Sequence, residues 1–286
     1  MPISVTRAIA FASVAGAGVA LAWKKPYADW QREEKAIRQD IREEQRKARI
    51  SQSSSQQPRG LSRFIPPAVA AIDAAAPLTL MQSIGLDQWR GELCGQATGR
   101  VLEVCVGKGE NFPHYDKASI EELVLTDVDG EVLQIARERS RQVLEGLRVE
   151  TCQCDAAGML PFPDDSFDCV VCAFGLCKAE DPIEAVREMA RVVKSGGKLL
   201  LLEHGCGSSA LINTWLSLSM KQRFRKDGCF YNRPVERIVQ QSGVDILQLR
   251  RRHAQTQYMV VASKKEPGAL EAQRARKELP RLARGG

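Results

Sequence analysis

The sequence predicts an α/β protein with a doubly wound parallel sheet, and three observations support this fold class. Apolar, strand-like runs alternate with amphipathic helical patterns between residues 101 and 203. One of these runs ends in a turn with two glycines, and the next ends in a carboxylate. Each polar or glycine motif of this region follows an apolar run, which places it at a carboxyl strand end, where such sheets bind ligands. The domain is predicted over residues 66–263.

The first predicted strand ends in a glycine turn. Residues 101–109 are Val-Leu-Glu-Val-Cys-Val-Gly-Lys-Gly, with an acidic residue at Glu103 and glycines at Gly107 and Gly109. Glycine has no Cβ and reaches positive φ, so backbone here can approach a nucleotide-like ligand closely. Many α/β proteins carry a turn of this kind, so the turn alone is weak evidence for a nucleotide-like ligand. The motifs that follow strengthen it.

The second predicted strand, Leu123–Asp127, ends in a carboxylate. Asp127 lies 18 residues beyond Gly109, close to the spacing at which an acidic residue meets ribose hydroxyls. An ionised carboxylate only accepts hydrogen bonds, so it can take both hydroxyl donors.

Further motifs and helices follow in order. Cys154–Asp168 begins Cys-Asp-Ala-Ala and contains Leu-Pro-Phe-Pro-Asp; it precedes the buried run Cys169–Phe174. Arg191–Leu202 predicts a helix end, a glycine turn and another strand. Apolar positions with helical spacing form two groups, Val132, Ile135, Ala136 and Val143, then Ile183, Val186, Met189 and Ala190.

Taken in this order, the motifs resemble the class I S-adenosylmethionine (SAM) dependent methyltransferases. Within that group, Phe174-Gly175-Leu176, then Asp181-Pro182 and Arg187-Glu188-Met189, is similar to the quinone C-methyltransferases and the methyltransferase-like membrane proteins. The resemblance covers about residues 95–263, and it implies a Rossmann-like sheet with SAM as the cofactor. Cys105 departs from the pattern, because the family usually places the first glycine of the turn there.

The resemblance also implies roles for single residues around the cofactor. Gly107 and Gly109 would border the methionine and ribose parts of SAM, and Glu103 would position the turn and the amino group of the ligand. Asp127 would hold the ribose hydroxyls.

Two further positions follow by the same resemblance. Asp155, with the backbone of Ala156, would bind the adenine amino group, although a strand-end turn residue is the alternative. Phe174 would face the methyl group and the substrate, although its periodicity alone predicts ordinary core. His204 follows the fifth strand and is the candidate general base, because imidazole titrates near neutrality; a structural role at the strand end is the alternative.

Charge is distributed unevenly along the chain. The net charge is +6, with 12 basic and 6 acidic residues in 1–65 and 7 basic and 3 acidic residues in 264–286, so residues 66–263 carry −4. A mildly acidic domain argues against nucleic acid as a partner, since phosphate binding needs clustered Lys and Arg.

The nine cysteines lack the spacing of a disulfide framework and indicate a reducing compartment. Cys169 and Cys172 fall in an apolar strand pattern, so buried structural thiols are favoured over a metal or redox pair. The chain has three separated histidines and neither a HExxH motif nor a nucleophile elbow. We therefore predict no metal site and no triad hydrolase.

The N-terminal residues 1–28 predict a membrane anchor that contacts lipid through residues 3–25. Ala8–Trp23 contains no charged residue, and Trp23 and two lysines close the run. The run reaches about 20 residues, the length of a span, only when the residues before Arg7 are included. A cleaved secretory signal or a mitochondrial transit segment is the alternative.

Three more segments flank or interrupt the domain. Residues 29–50 alternate acidic and basic residues and predict a charged, solvated helical stalk, with a basic nucleic-acid arm as the alternative. Residues 51–65 predict a flexible linker, and 264–286 a disordered basic tail. Residues 210–220 are apolar and precede several cations, which suits a lid on a membrane surface or one packed on the domain.

These observations predict a membrane-tethered, SAM-dependent methyltransferase that acts on a small lipophilic acceptor, quinone-like or a thiol. The acid-free N-terminus and the resemblance favour the mitochondrial inner membrane with the domain facing the matrix. The endoplasmic reticulum membrane, with the domain on the cytosolic face, is the alternative. The rival function is a non-catalytic or RNA-directed organellar assembly factor that retains the fold, and a membrane protein complex is a further possible partner.

Overall fold

A computed structural model describes residues 27–53, 85–158 and 160–265. These residues divide into two compact units. The helical unit comprises the residues up to Leu86 together with His204–Pro234 and Arg251–Gln257, and the sheet unit comprises Asp87–Glu203, Val235–Arg250 and the residues from Tyr258 onward.

The described helices and strands follow one another in α/β order. The strands are β1 (Gly99–Val104), β2 (Ile120–Asp127), β3 (Arg148–Gln153), β4 (Phe167–Ala173), β5 (Val193–His204), β6 (Val244–Arg252) and β7 (Gln257–Lys264). The helices are α1 (Tyr27–Ser53), α2 (Leu86–Cys94), α3 (Gly130–Val143), α4 (Pro182–Val192), α5 (Ala210–Leu218), α6 (Met220–Asp227) and α7 (Val235–Gln241), with a 3₁₀ helix at Phe112–His114.

The sheet has the strand order β3-β2-β1-β4-β5-β7-β6. Strands β1 to β5 pair in parallel, as predicted. Strands β6 and β7 are neighbours joined by only residues 253–256, and a connection this short joins antiparallel strands. The α/β prediction is therefore confirmed with one difference, since the sheet is mixed rather than wholly parallel.

The strand order positions a ligand site beside β1. The chain runs outward from β1 to β2 and β3, then returns to the other side of β1 as β4, which makes a topological switch point. Val104 and Cys172 are register partners near the carboxyl ends of β1 and β4. The centre of the sheet is dry, because Leu102, Val170 and Leu200 are each 0% exposed.

Two of the helices match predicted apolar patterns. Asp129 and Asp181 cap the N-termini of helices α3 and α4, and each carboxylate accepts two backbone N–H groups of the first turn. Three of the four predicted apolar residues on α4 are buried, but on α3 only Ala136 of the four is buried, and Ile135 is 45% exposed.

The glycine turn predicted before the fifth strand is instead part of β5. Helix α4 passes directly into β5 at Val193, and the pairing of β4 with β5 shifts register between Phe167 and Cys169. Gly196 has a φ of +79°, which glycine adopts without strain, so the extra residues bulge out of the strand.

The predicted charged stalk is helical, but it is not solvated on all sides. Tyr27, Glu34 and Ile41, spaced seven residues apart on α1, are buried in the helical unit. Asp40 and Glu44 on the same helix form ion pairs with Lys221 of α6. The prediction of a solvated helix therefore differs from the structure at Ile41, which is 7% exposed.

Several predicted segments lie outside the described residues. These are the anchor up to Pro26, the linker from 54 onward and the tail beyond Lys265. Within the described ranges, no helix has both the length and the apolar character needed to cross a bilayer. The anchor and the segment boundaries remain predictions.

Candidate functional site

The glycine turn after β1 takes the conformation that its sequence predicts. Gly107 and Gly109 have φ values of 58° and 80°, in the left-handed region that favours glycine. A Cβ on Gly109 would lie 2.2 Å from Cε2 of Phe112. Gly109 is therefore required for packing inside the turn, whereas the more accessible Gly107 presents backbone at the edge of the sheet.

Cys105 fits the position at which related turns carry glycine. Its φ is 54°, which is strained for a residue with a side chain. Space for the thiol comes from Gly175 after β4, because a Cβ there would lie 2.7 Å from Cβ of Cys105 and 2.7 Å from Sγ of Cys172. The departure from the family pattern is thus matched by a glycine on the neighbouring strand.

Glu103 holds the glycine turn from below the site. Its Oε1 accepts from Nδ2 of Asn111 at 2.8 Å, and its Oε2 accepts from the hydroxyl of Tyr115 at 2.8 Å. The side chain is 1% exposed. Burial raises the pKa of Glu103 to about 7, although the two hydrogen bonds act in the opposite direction and lower it. This geometry agrees with a role in positioning the turn, and its role toward a ligand amino group remains a prediction.

Asp127 joins the end of β2 to the glycine turn. Its Oδ2 accepts from the N–H of Gly107 at 3.0 Å, and its Oδ1 accepts from the N–H of Asp129 at 3.1 Å. A carboxylate offers about four acceptor positions, so the partly exposed Asp127 retains capacity for two hydroxyl donors.

Asp155 and Ala156 lie next to this point, at the end of β3. The N–H of Cys154 donates to the carbonyl of Asp127 at 3.1 Å, which brings the two strand ends together. Asp155 is exposed, and Oδ1 accepts from the N–H of Ala157 at 2.9 Å. Ala156 is buried. Asp155 therefore forms a turn at the end of β3 and leaves a carboxylate exposed to solvent beside Asp127, and its role toward a ligand remains a prediction.

Phe174 ends β4 in a strained conformation and is not ordinary core. Its φ is 58°, the ring is only half-buried, and its N–H donates to the carbonyl of Leu202 at 2.7 Å. The guanidinium of Arg90, on α2, lies 5.2 Å from the ring centroid. Strained non-glycine residues cluster at binding sites, so the functional interpretation of Phe174 gains support.

Glu203 fixes the loop after Phe174, and sequence analysis did not single it out. Its Oε1 accepts from the N–H groups of Gly175 and Leu176 at 3.0 and 2.9 Å, and its Oε2 accepts from Cys177 at 3.2 Å. It is 0% exposed, and burial raises the pKa of Glu203 to about 7. The same pattern that identified Asp127, an acid closing an apolar strand, could have identified it.

Val128 was also missed, although its position was informative. It follows Asp127 directly and is 63% exposed. An exposed apolar side chain beside a hydrogen-bonding carboxylate can pack on a flat ligand ring.

The predicted structural thiols are buried. Cys169 and Cys172 are 1% and 0% exposed, and burial raises the pKa of Cys169 to about 12. Sγ of Cys172 lies 3.5 Å from Oε1 of Glu203. The described residues contain no group of three His, Cys, Asp or Glu side chains arranged to hold a metal.

His204, the candidate base, belongs to the helical unit. Its ring stacks on that of Tyr231, with centroids 4.5 Å apart and planes 29° apart. The stack fixes the imidazole plane, and the role as a general base remains a prediction.

The remaining candidates come together at one edge of the sheet unit. Glu103, Gly107, Gly109, Asp127, Asp155, Ala156 and Phe174 all lie at or just after the carboxyl ends of β1 to β4. The carboxylate of Asp127 has free acceptor positions for ribose hydroxyls. The exposed side chain of Val128 and the exposed carboxylate of Asp155 suit the face and the amino group of a base. These residues therefore fit SAM.

Known proteins resemble this part of the chain. Residues 102–201 match the family model described as "Methyltransferase domain". The ubiquinone/menaquinone biosynthesis C-methyltransferase UbiE of Pseudomonas fluorescens is 39% identical over 125 residues, which cover 43% of this chain and 48% of UbiE. The mitochondrial methyltransferase OMS1 of Saccharomyces cerevisiae is 26% identical over 196 residues, covering 64% of this chain and 42% of OMS1.

Two solved structures share the fold. A protein of Bacillus halodurans described as a methyltransferase is 21% identical with a TM-score of 0.50, and the match covers 58% of this chain and 71% of that one. The [4+2]-cyclase SpnF is 18% identical with a TM-score of 0.51, covering 64% and 80%. The two structures show the fold alone. The sequence matches confirm the resemblance and the prediction of a SAM-dependent methyltransferase domain, while this chain spans about half the length of the curated relatives.

Proposed function

We propose that the protein is a membrane-tethered, SAM-dependent methyltransferase that methylates a small lipophilic acceptor, quinone-like or a thiol. The observation that carries the proposal is the adjacency of Asp127 and Asp155 beside the glycine turn. Asp127 would accept from both ribose hydroxyls, Asp155 would accept from the adenine amino group, and Val128 would cover the ring. Gly107 would leave room for the rest of the cofactor.

SAM supplies a methyl group bound to a positively charged sulfur, so the protein mainly has to bind and align the two reactants. Glu103 holds the turn through Asn111 and Tyr115, and Glu203 holds the loop that carries Phe174. An acceptor that must lose a proton would need a base, and His204 is the residue we propose for it.

The lipophilic acceptor is supported by helix α5. Leu211 and Leu218 on α5 are 81% and 78% exposed, and both lie on one face of the helix, seven residues apart. Exposed leucines on an apolar helix suit a lid that contacts lipid or a lipophilic substrate. The proposed anchor over residues 3–25 would keep this helix close to a membrane.

The mitochondrial inner membrane, with the domain facing the matrix, is the proposed location. The yeast relative is named as mitochondrial, and Lys24 and Lys25 follow the proposed span as the positive-inside tendency requires. The cytosolic face of the endoplasmic reticulum is the alternative.

The rival proposal, an assembly factor without catalysis, drew its support partly from Cys105. That support weakens because Gly175 makes room for the thiol. The fold alone does not decide between the two, since one fold serves many activities.

Calorimetry with SAM and the full-length protein tests the proposal. We expect Asp127→Ala to weaken SAM binding by roughly 1–3 kcal/mol, because the ribose hydroxyls lose their acceptor. The matched control is Asp245→Ala, which removes an exposed carboxylate from β6 of the same unit and should leave the affinity unchanged. A folded wild-type protein that binds no SAM at millimolar concentration would contradict the proposal.

A further inference from the structure

Helix α6 carries an arginine that is almost fully buried in the helical unit. Arg223 is 7% exposed. Its guanidinium carbon lies 4.6 Å from the ring centroid of Trp215, on α5, and 4.7 Å from that of Tyr231. Because Tyr231 stacks on His204, the arginine sits in a connected set of flat groups that includes the candidate base.

The hydrogen bonds of Arg223 are incomplete. Nε donates to Oγ of Ser219 at 3.2 Å, but Nη2 is buried and has no hydrogen-bond partner. The nearby Asp227 instead accepts from the hydroxyl of Tyr231 at 3.3 Å. Within the part of the chain that the structure describes, Arg223 forms no ion pair.

A buried guanidinium is usually stabilised by an ion pair and by a full set of hydrogen bonds, and Arg223 lacks both in the described residues. Burial lowers the pKa of Arg223 from its ordinary value, although an arginine remains cationic at neutral pH. Contacts with ring faces recover only part of the hydration that the charge has lost. Buried polar atoms without a partner are rare in folded proteins, and a bound ion or ligand is one explanation for them.

A second buried atom of the helical unit lacks a partner. Asn232 is 1% exposed, and its Nδ2 donates to Oγ of Ser217 at 3.4 Å. Its Oδ1 accepts no hydrogen bond. The unit therefore contains a cationic donor and, separately, an acceptor that are buried without a hydrogen-bond partner.

We propose that Arg223 binds the carboxylate of a lipophilic organic acid within the helical unit. The planar guanidinium matches a carboxylate geometrically, and the rings of Trp215 and Tyr231 hold it in place.

The test compares two probes of equal shape, 4-octylbenzoate and 4-octylbenzamide, binding to the full-length protein in detergent micelles. Calorimetry should give at least about tenfold tighter binding of the benzoate, the factor expected for a charge-assisted hydrogen bond. Arg223→Gln should remove this preference. Lys226→Gln removes an exposed cation from the same helix and should preserve it.

The outcomes separate the two proposals. Equal binding of both probes to the wild-type protein, or a preference that survives Arg223→Gln, would overturn the carboxylate site even if SAM binds normally. A clear benzoate preference in a protein that binds no SAM would leave the site standing and overturn the methyltransferase. The wild-type comparison remains decisive if Arg223→Gln fails to fold.

Discussion

The two units of the molecule bury charge in different ways. In the sheet unit, Glu103 and Glu203 are carboxylates that accept hydrogen bonds from neutral groups, an amide, a phenol and backbone N–H groups. In the helical unit, Glu34 is paired with Arg233, with side chains 8% and 1% exposed, and Arg223 is held by aromatic rings. A carboxylate among neutral donors can take up a proton, whereas a guanidinium cannot lose its charge.

This difference predicts which change should lower the stability of each unit. The sheet unit depends on pH, because burial raises the pKa of both glutamates to about 7. The stability of the helical unit depends on the Glu34–Arg233 ion pair. A buried guanidinium that loses its counter-charge cannot be neutralised by losing a proton.

The largest effect should come from breaking the buried ion pair. Glu34→Ala leaves Arg233 buried without the counter-charge of Glu34, and we expect a loss of about 3–5 kcal/mol in the free energy of unfolding of the helical unit. Urea titration followed by circular dichroism measures it. Glu43→Ala, an exposed position on the same helix, should cost less than about 0.5 kcal/mol. Equal effects of the two substitutions would show that α1 does not pack through Glu34.

The second-largest effect should be a change in the stability of the sheet unit with pH. The folded pKa of Glu203, about 7, lies above its ordinary value of 4.5, so the folded state binds more protons between these values. The contribution of Glu203 to the free energy of unfolding is then greatest below pH 4.5. It falls by up to about 3 kcal/mol as the pH rises to 7.

Glu203→Gln isolates the contribution of this group. Glutamine cannot ionise, so the difference in unfolding free energy between wild type and variant should shift in favour of the variant as the pH rises from 4.5 to 7. A difference that stays constant over this range would mean that folding does not raise the pKa of Glu203.

The smallest of these effects concerns two neutral positions in the sheet unit. Gly175→Ala places a Cβ within 2.7 Å of Cys105 and Cys172, and we expect a cost of about 1–3 kcal/mol from overpacking. Cys105→Gly removes one of the two clashes, so the double variant should recover part of the loss. Thermal unfolding of the three variants measures it, and strictly additive effects would contradict direct contact between the positions.

The sequence predicted those features of the site that are local in the chain. The glycine turn, Asp127 and Asp155 each follow their own strand, so strand patterning and spacing were sufficient to find them. Arg90, Asn111 and Tyr115 were not found, because each acts through a residue on another segment: Arg90 on Phe174, and the other two on Glu103. Such contacts depend on how strands and helices pack.

The same reason explains the error over α1. Its buried positions Tyr27, Glu34 and Ile41 are seven residues apart, but the middle one is a glutamate. A pattern based on hydrophobicity passes over a charged residue, and only the presence of Arg233 makes that residue a buried one.

The fit between Cys105 and Gly175 has an evolutionary consequence. We expect the two positions to be epistatic, because a cysteine at 105 fits best where position 175 has no side chain. Once the cysteine is present, replacement of Gly175 becomes more costly, since the new side chain then clashes with Cys105 as well as with Cys172. We would therefore look for the ancestry of this chain among homologues that carry glycine at both positions.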